Sequence, residues 1–234
     1  MGMFRGYGVG RALHTMRRLG WQMVRDPGNV RRHVAWSRTL GGEHDLLADD
    51  MPFMCYEVAD WLRSTLRPDW SVFEWGSGAS TLFLGRRVNR VTSVEHHRQW
   101  YERLAARLEQ EGLSHCELEL VPPDEHAGEA AYASEEATCR GQTFERYVKR
   151  IDAVADGSLD LVIVDGRARC ACVRHALAKV KAGGYVLLDD SDRERYAPAL
   201  EAMAGQERCE FRGLKPTKKN PVQTTVWRVG VGGG

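Results

Sequence analysis

The chain has 234 residues, 43% apolar and 28% charged, enough for one well-buried domain with a small appendage and far from collagen-like or disordered compositions. The formal charge of +1 conceals an asymmetry, because eight arginines against the single acid Asp26 lie between Met1 and Arg38, which leaves the rest mildly acidic. No stretch approaches roughly 18 continuous apolar residues, so no membrane-spanning helix is expected, and no apolar signal segment follows the start.

Residues 1–50 are expected to form a basic helical extension, residues 51–230 the main domain, and residues 231–234 a flexible tail. The arginine-rich head suits either a solvated docking face or an arm for nucleic acid or an anionic membrane, with Trp21 and Trp36 as packing anchors. It is also the segment through which a homo-oligomer would form. Six cysteines without a Cys-x-x-Cys pair signal neither zinc nor a disulfide framework, so reduced thiols and a cytoplasmic location are expected. Cys170 and Cys172 are expected as small fillers on or beside a helix.

From Met51 onward, strands alternate with helices. In "MPFMCYEVADWLRSTLRP" the apolar positions Met54, Val58, Trp61 and Leu62 recur at helical spacing, with Pro52 near the start and Pro68 beyond the end. The strand "SVFEW" follows, then a short helix near "STLFLGRR", the strand "VTSVE", and a helix from about Gln99 that Gly112 stops. "CELELV" alternates as a strand and is closed by Pro122 and Pro123. Residues 122–142 are polar and longer than an ordinary connection, a candidate lid. Phe144, Tyr147, Val148, Ile151 and Val154 mark the next helix, and "LDLVIVD" reads as a central parallel strand buried on both faces. A helix through Val173, Ala176, Leu177 and Val180 is expected to stop at Gly183 and Gly184 before the strand "YVLLDD", and a last helix to run from about Arg193 to Met203. "CEFRGL" and "TTVWRV" are joined by a connection too short for a crossover, so they should pair antiparallel. The expected fold is α/β: a doubly wound, mostly parallel seven-stranded sheet with a C-terminal antiparallel hairpin and helices on both faces.

In such sheets ligands gather at the carboxyl ends of the strands, where the strand order reverses. There this chain places Glu74, Gly76, Ser77, Gly78 and Ser80, then Glu95, His96 and His97, then Asp165, Arg167 and Arg169, and finally Asp189 and Asp190. Gly76 and Gly78 lack a β-carbon, which lets a ligand lie against main-chain amides. Glu95, at the end of the next strand, is placed to accept hydrogen bonds from both hydroxyls of a ribose. A dinucleotide fingerprint would want a small residue where Thr81 stands, which favours a nucleoside without a pyrophosphate.

The segments "FEWGSGAS", "VTSVEHH", "LDLVIVDGRAR" and "GGYVLLDDSD", in that order and spacing, resemble the successive motifs of class I S-adenosylmethionine-dependent methyltransferases, and the closing hairpin with "TTVW" resembles that family's end strands. The resemblance spans roughly residues 52–229 and implies S-adenosylmethionine as cofactor. It implies that Glu74, Gly76, Ser77, Gly78 and Ser80 lie at the methionine part of the cofactor, Glu95 at the ribose and His96 beside the adenine, with Asp165 facing the methionine end or the acceptor. His97, Asp165 and Asp190 are the candidate bases. Asp165, Asp189 and Asp190 together resemble the magnesium-holding acids of the catechol O-methyltransferase type, although Asp190 stands where that type carries an amide. Tyr132 and Phe144 are candidate acceptor-choosing residues, while Arg167 and Arg169 either grip an anionic group on the substrate or pair with nearby acids. The expected activity is methyl transfer to a small-molecule acceptor, at oxygen, with nucleic acid disfavoured as acceptor. The rivals are an NAD(P)-dependent oxidoreductase and a non-catalytic nucleotide-binding protein that docks through its basic arm.

Overall fold

The structure, a computed structural model, describes residues 27–40, 44–126 and 128–230. Trp21, five of the head's eight arginines and the tail at 231–234 lie outside the described residues. Seven strands form one sheet in the order β3-β2-β1-β4-β5-β7-β6: β1 (Ser71–Trp75), β2 (Arg90–Glu95), β3 (Cys116–Leu120), β4 (Leu159–Val164), β5 (Val180–Leu188), β6 (Glu207–Gly213) and β7 (Val222–Arg228). The first five are parallel, and β7 runs antiparallel between β5 and β6. The order reverses between β1 and β4, so the crevice that binds ligands in open α/β sheets lies between the tips of those strands.

Alternation along the strands divides the core in two. Phe73, Trp75, Val162, Val164, Val186, Leu188 and Trp227 face one cluster, and Val72, Leu161, Ile163, Leu187 and Val226 the other. Such two-sided burial is the reason "LDLVIV" reads as a continuous apolar run rather than an alternating one. The helices that cover the faces are α1 (Pro27–Thr39), α2 (Tyr56–Thr65), α3 (Ala79–Gly85), α4 (Arg98–Gln110), α5 (Glu145–Val148), α6 (Arg169–Ala176) and α7 (Ala197–Ala202). Among the described residues, no helix is long and apolar enough to cross a membrane.

Three elements depart from expectation. α2 begins only at Tyr56, because Pro52 to Met54 close a turn with the Met54 N–H on the Pro52 carbonyl (2.8 Å) and Cys55 is extended. The helix through Phe144 breaks after Val148 into a 3-10 turn, Lys149–Ala153. Gly183 and Gly184 do not stop a helix but lie inside β5, where the six residues from Val180 to Tyr185 oppose only the three from Leu159 to Leu161 of β4. A β-carbon at Gly184 would stand 2.8 Å from Val180 Cγ1 and 2.9 Å from the Asp160 carbonyl, so the bulge requires glycine there.

The described part of the basic head is docked. In α1, Arg32 pairs with Asp60 of α2 at 2.8 Å, the Trp36 indole N–H donates to the Lys218 carbonyl at 2.7 Å, and Thr39 Oγ1 accepts the Thr217 N–H at 2.9 Å. Cys170 and Cys172 are buried fillers on α6, as their spacing suggests.

Candidate cofactor and acceptor site

The glycine loop follows β1. Gly76 has φ +89, and a β-carbon on it would stand 2.7 Å from the carbonyl carbon and oxygen of Asp165. What lies against this glycine is therefore the turn after β4, which brings the β1 and β4 tips into direct apposition across the switch point. A β-carbon on Gly78 would stand 3.3 Å from the Trp100 ring, and that indole N–H donates to the Ser77 carbonyl at 2.7 Å. Thr81 occupies the position where a dinucleotide site would want a small residue. Its hydroxyl accepts the Gly78 N–H at 3.0 Å and donates to Glu74, which locks the loop to the start of α3.

Glu74 is not at the rim. It points into the face covered by α3, wholly buried, and accepts from Ser80 (2.8 Å), Ser93 (2.6 Å) and Thr81. Burial raises its carboxyl above the ordinary range despite the three hydroxyl donors. Glu74 and Ser80 thus form the loop's foundation rather than its lining, since strand alternation turns Glu74 to the same face as Val72, opposite Phe73 and Trp75.

Glu95 does stand at the rim. Its Oε1 accepts the backbone N–H groups of His96 (2.8 Å) and His97 (2.7 Å), while Oε2 accepts the Ser77 hydroxyl at 3.0 Å. Burial alone would raise this carboxyl, but interactions with His96, His97 and Ser77 bring it below its usual range, so it is ionised at neutral pH. The His96 ring is set edge-on to Phe144 (5.9 Å) and Tyr147 (6.2 Å), forming an aromatic wall beside Glu95. His96 Nδ1 lies 2.9 Å from Glu95 Oε1, while Tyr147 Oη and Arg167 Nε are buried without a hydrogen-bond partner. Phe144 belongs to the core under His96, and Tyr132 packs on the same cluster with its hydroxyl 3.5 Å from His175 Nε2. His97 is exposed, and its Nδ1 caps α4 through the Trp100 N–H at 3.4 Å.

The β4 and β5 tips carry the second half of the site. Ligand oxygens of Asp165, Asp189 and Asp190 lie within 4.8 Å of one another, a group that does not include His97. Arg169 turns inward: it sits 2.8 Å from Asp165 Oδ1 and donates to the Asp189 carbonyl at 2.6 Å, so the reading in which it grips substrate gives way to the one in which it pairs with acids. Asp190 adopts a left-handed conformation, φ +53, and pairs with Arg193 at 2.5 Å. Burial, followed by the neighbouring Asp189 charge, raises the Asp165 carboxyl to about 7. Asp189 is held below the usual range by Lys215 and Arg169 against the effect of burial.

Three contributors escaped the sequence reading. Lys215, from the β6–β7 connection, reaches Asp189 Oδ2 at 2.5 Å with only 3% exposure. Glu135 accepts the N–H groups of Arg169 (3.1 Å) and Cys170 (3.0 Å) at the start of α6, and Glu136 accepts from Arg193 (2.8 Å), Arg195 (2.7 Å) and Tyr196 (3.1 Å). These two glutamates tie the polar insertion to the start of α6 and to the segment after β5. The third is the Ser93–Thr81 pair of hydroxyls under the loop. Only the adjacent acids "EE" in an otherwise Ala-rich stretch hinted at a strap, and no sequence signal distinguishes Lys215 from the other lysines of "KPTKK".

Residues 73–191, from β1 through the tip of β5 and just over half of the chain, match the family described as a methyltransferase domain. No curated protein sequence matches. Among solved structures the chain is similar to a Streptococcus mutans protein in complex with S-adenosylhomocysteine (12% identity over 73% of this chain and 94% of that one, TM-score 0.51). It is also similar to a precorrin 8W decarboxylase from Methanobacterium thermoautotrophicum (18%, 76% and 94%, 0.53) and a tRNA (m1A58) methyltransferase from Aquifex aeolicus (15%, 79% and 74%, 0.50). At these identities the likeness speaks for the fold. The family match runs over the glycine loop, Glu95 and the acids of β4 and β5, and on these grounds the chain belongs to the methyltransferase-domain family, as a class I S-adenosylmethionine-dependent methyltransferase.

Proposed function

We propose that this enzyme methylates a hydroxyl of a small-molecule acceptor, with Asp165 as the base, and the observation that carries the reading is a carboxyl poised at about 7 on the β4 tip, against the glycine loop. When bound, S-adenosylmethionine supplies a methyl group already activated by its sulfonium. The chain's own task is to align donor and acceptor and to take up a proton.

For the cofactor, Glu95 would hold the ribose diol: Ser77 gives it a neutral hydroxyl donor at 3.0 Å that a sugar hydroxyl can replace like for like. The His96 ring, set against Phe144 and Tyr147 with its Nδ1 2.9 Å from Glu95, would flank the adenine. The main-chain groups of Gly76, Ser77 and Gly78 would face the methionine part. Asp165 would take the acceptor's proton in its ionised form, its carboxyl raised to about 7 by burial and the neighbouring Asp189. His97 serves the start of α4 instead, and Asp190 is engaged by Arg193.

A small acceptor is favoured because Glu135 and Glu136 tie the insertion over this side and because Arg169, Arg193, Arg195 and Lys215 are all consumed by acids, leaving them unavailable to a phosphate backbone. Several structural neighbours act on rRNA or tRNA by their descriptions, so the deciding experiment offers both acceptor classes. With methyl-labelled S-adenosylmethionine and separated small-molecule and RNA fractions of a cell extract, label is expected in the small-molecule fraction as a methyl ether. Label confined to RNA would overturn the reading.

A further inference from the structure

The magnesium reading of Asp165, Asp189 and Asp190 meets an obstacle: the cations are already supplied by the chain. Lys215 Nζ lies 2.5 Å from Asp189 Oδ2 and 3.7 Å from Asp190 Oδ1. The other Asp189 oxygen accepts the Thr224 hydroxyl at 2.6 Å. Asp190 Oδ2 faces Arg193 at 2.5 Å and Arg169 at 3.9 Å, and Asp165 Oδ1 faces Arg169 at 2.8 Å. Three carboxylates are thus balanced by three cations. A divalent ion needs oxygens free to close to about 2.0–2.1 Å around it and would enter here against a local charge that is already neutral.

We infer that the Lys215 ammonium is a built-in cation that takes the place of a divalent ion at the acidic rim, making Lys215 a positioning residue and the transferase independent of metal. The surroundings of Lys215 are built to keep it there. The backbone on either side of it is anchored, with the Leu214 carbonyl accepting the Tyr56 N–H at 3.0 Å, Pro216 buried and Thr217 tied to Thr39 of α1. The Phe53 ring lies 4.5 Å from the ammonium on a further side. Burying a lysine this deeply is costly unless its charge is matched, and the match is Asp189, the carboxylate of lowest exposure in the cluster. Because the acids come from β4 and β5 and the cation from the β6–β7 connection, the antiparallel hairpin becomes part of the acceptor site. This deepens the proposed reading of that side as the acceptor end.

Manganese(II) is a suitable probe, since it takes the same oxygen ligands and is followed by electron paramagnetic resonance on the full-length protein. The wild type is expected to leave manganese free at millimolar concentration and to bind S-adenosylhomocysteine equally with and without EDTA. Lys215→Ala, which removes one cation and vacates its volume, is expected to gain a one-to-one manganese site that is lost again in Lys215→Ala/Asp189→Asn. Should truncation prevent folding, as judged by the melting transition, Lys215→Met keeps the stem without the charge and is titrated in its place. Wild-type manganese binding that Asp189→Asn abolishes would overturn the inference, and so would a folded Lys215 variant that binds none. S-adenosylhomocysteine calorimetry on the same preparations separates this outcome from a failure of the cofactor reading, because the manganese titration needs no cofactor.

Discussion

The two halves of the rim hold their acids in opposite ways. At the β1–β2 tips, Glu74 and Glu95 are satisfied mainly by hydroxyls and backbone N–H groups, with the His96 ring alongside Glu95. At the β4–β5 tips, Asp165, Asp189 and Asp190 are held by Arg169, Arg193 and Lys215. A neutral hydroxyl donor can be exchanged for a ligand hydroxyl at little cost, which is what a nucleoside site needs. A charge-balanced cluster instead sets protonation: it keeps Asp189 ionised, and through Asp189 and burial it lifts Asp165. In the proposed reading, one half binds the cofactor and the other moves a proton.

The largest expected effect comes from the proton-moving half. Asp165→Asn should lower kcat by roughly 10²–10⁴ while S-adenosylhomocysteine affinity stays within a few-fold, measured by steady-state kinetics and calorimetry; a variant with wild-type turnover would break the contrast. Its pH dependence follows from the same carboxyl. The base must be unprotonated, and its raised value of about 7 means that kcat rises with pH through that point and falls about tenfold per unit well below it. A rate that is flat from pH 5 to pH 8 would remove Asp165 from the role.

The next effects sharpen the difference between foundation and lining. Gly76→Ala forces a β-carbon to within 2.7 Å of the Asp165 backbone at positive φ and should cost about 2–3 kcal/mol of stability. Ser93→Ala removes a donor from fully buried Glu74 and should cost about 1–3 kcal/mol. Both are read by denaturant unfolding, with cofactor affinity in Ser93→Ala near that of the wild type. Ser77→Ala should be the mildest, because the ribose replaces its hydroxyl: S-adenosylhomocysteine affinity is expected to change by less than about threefold.

Much of this architecture could be read from the sequence. β1, β2 and β4 follow from apolar runs ending in acid or glycine, and the antiparallel β6–β7 pairing follows from a connection too short to cross over. The breaks came where local spacing cannot report tertiary demand. Gly183 and Gly184 look like a helix stop but serve a bulge against β4, and Glu74 looks like part of the loop yet is turned under it by strand alternation. Candidate site residues were legible as positions on strand tips, whereas their partners were not. Lys215 lies 25 residues beyond Asp190 in a lysine-rich loop, and its inward turn depends on the hairpin's contacts with α1 and α2. Arg169 likewise sits where a substrate-binding arginine would, and only the buried carboxylates beside it decide otherwise.

The account rests most directly on Glu95 as the ribose-holding group. Titration calorimetry of S-adenosylhomocysteine into the wild type should give saturable one-to-one binding, weakened in Glu95→Ala by about 1.5–3 kcal/mol, or roughly ten- to a hundredfold, as expected for a lost charge-assisted hydrogen bond. Equal affinity in a folded Glu95→Ala variant, or no binding by the wild type, would contradict it.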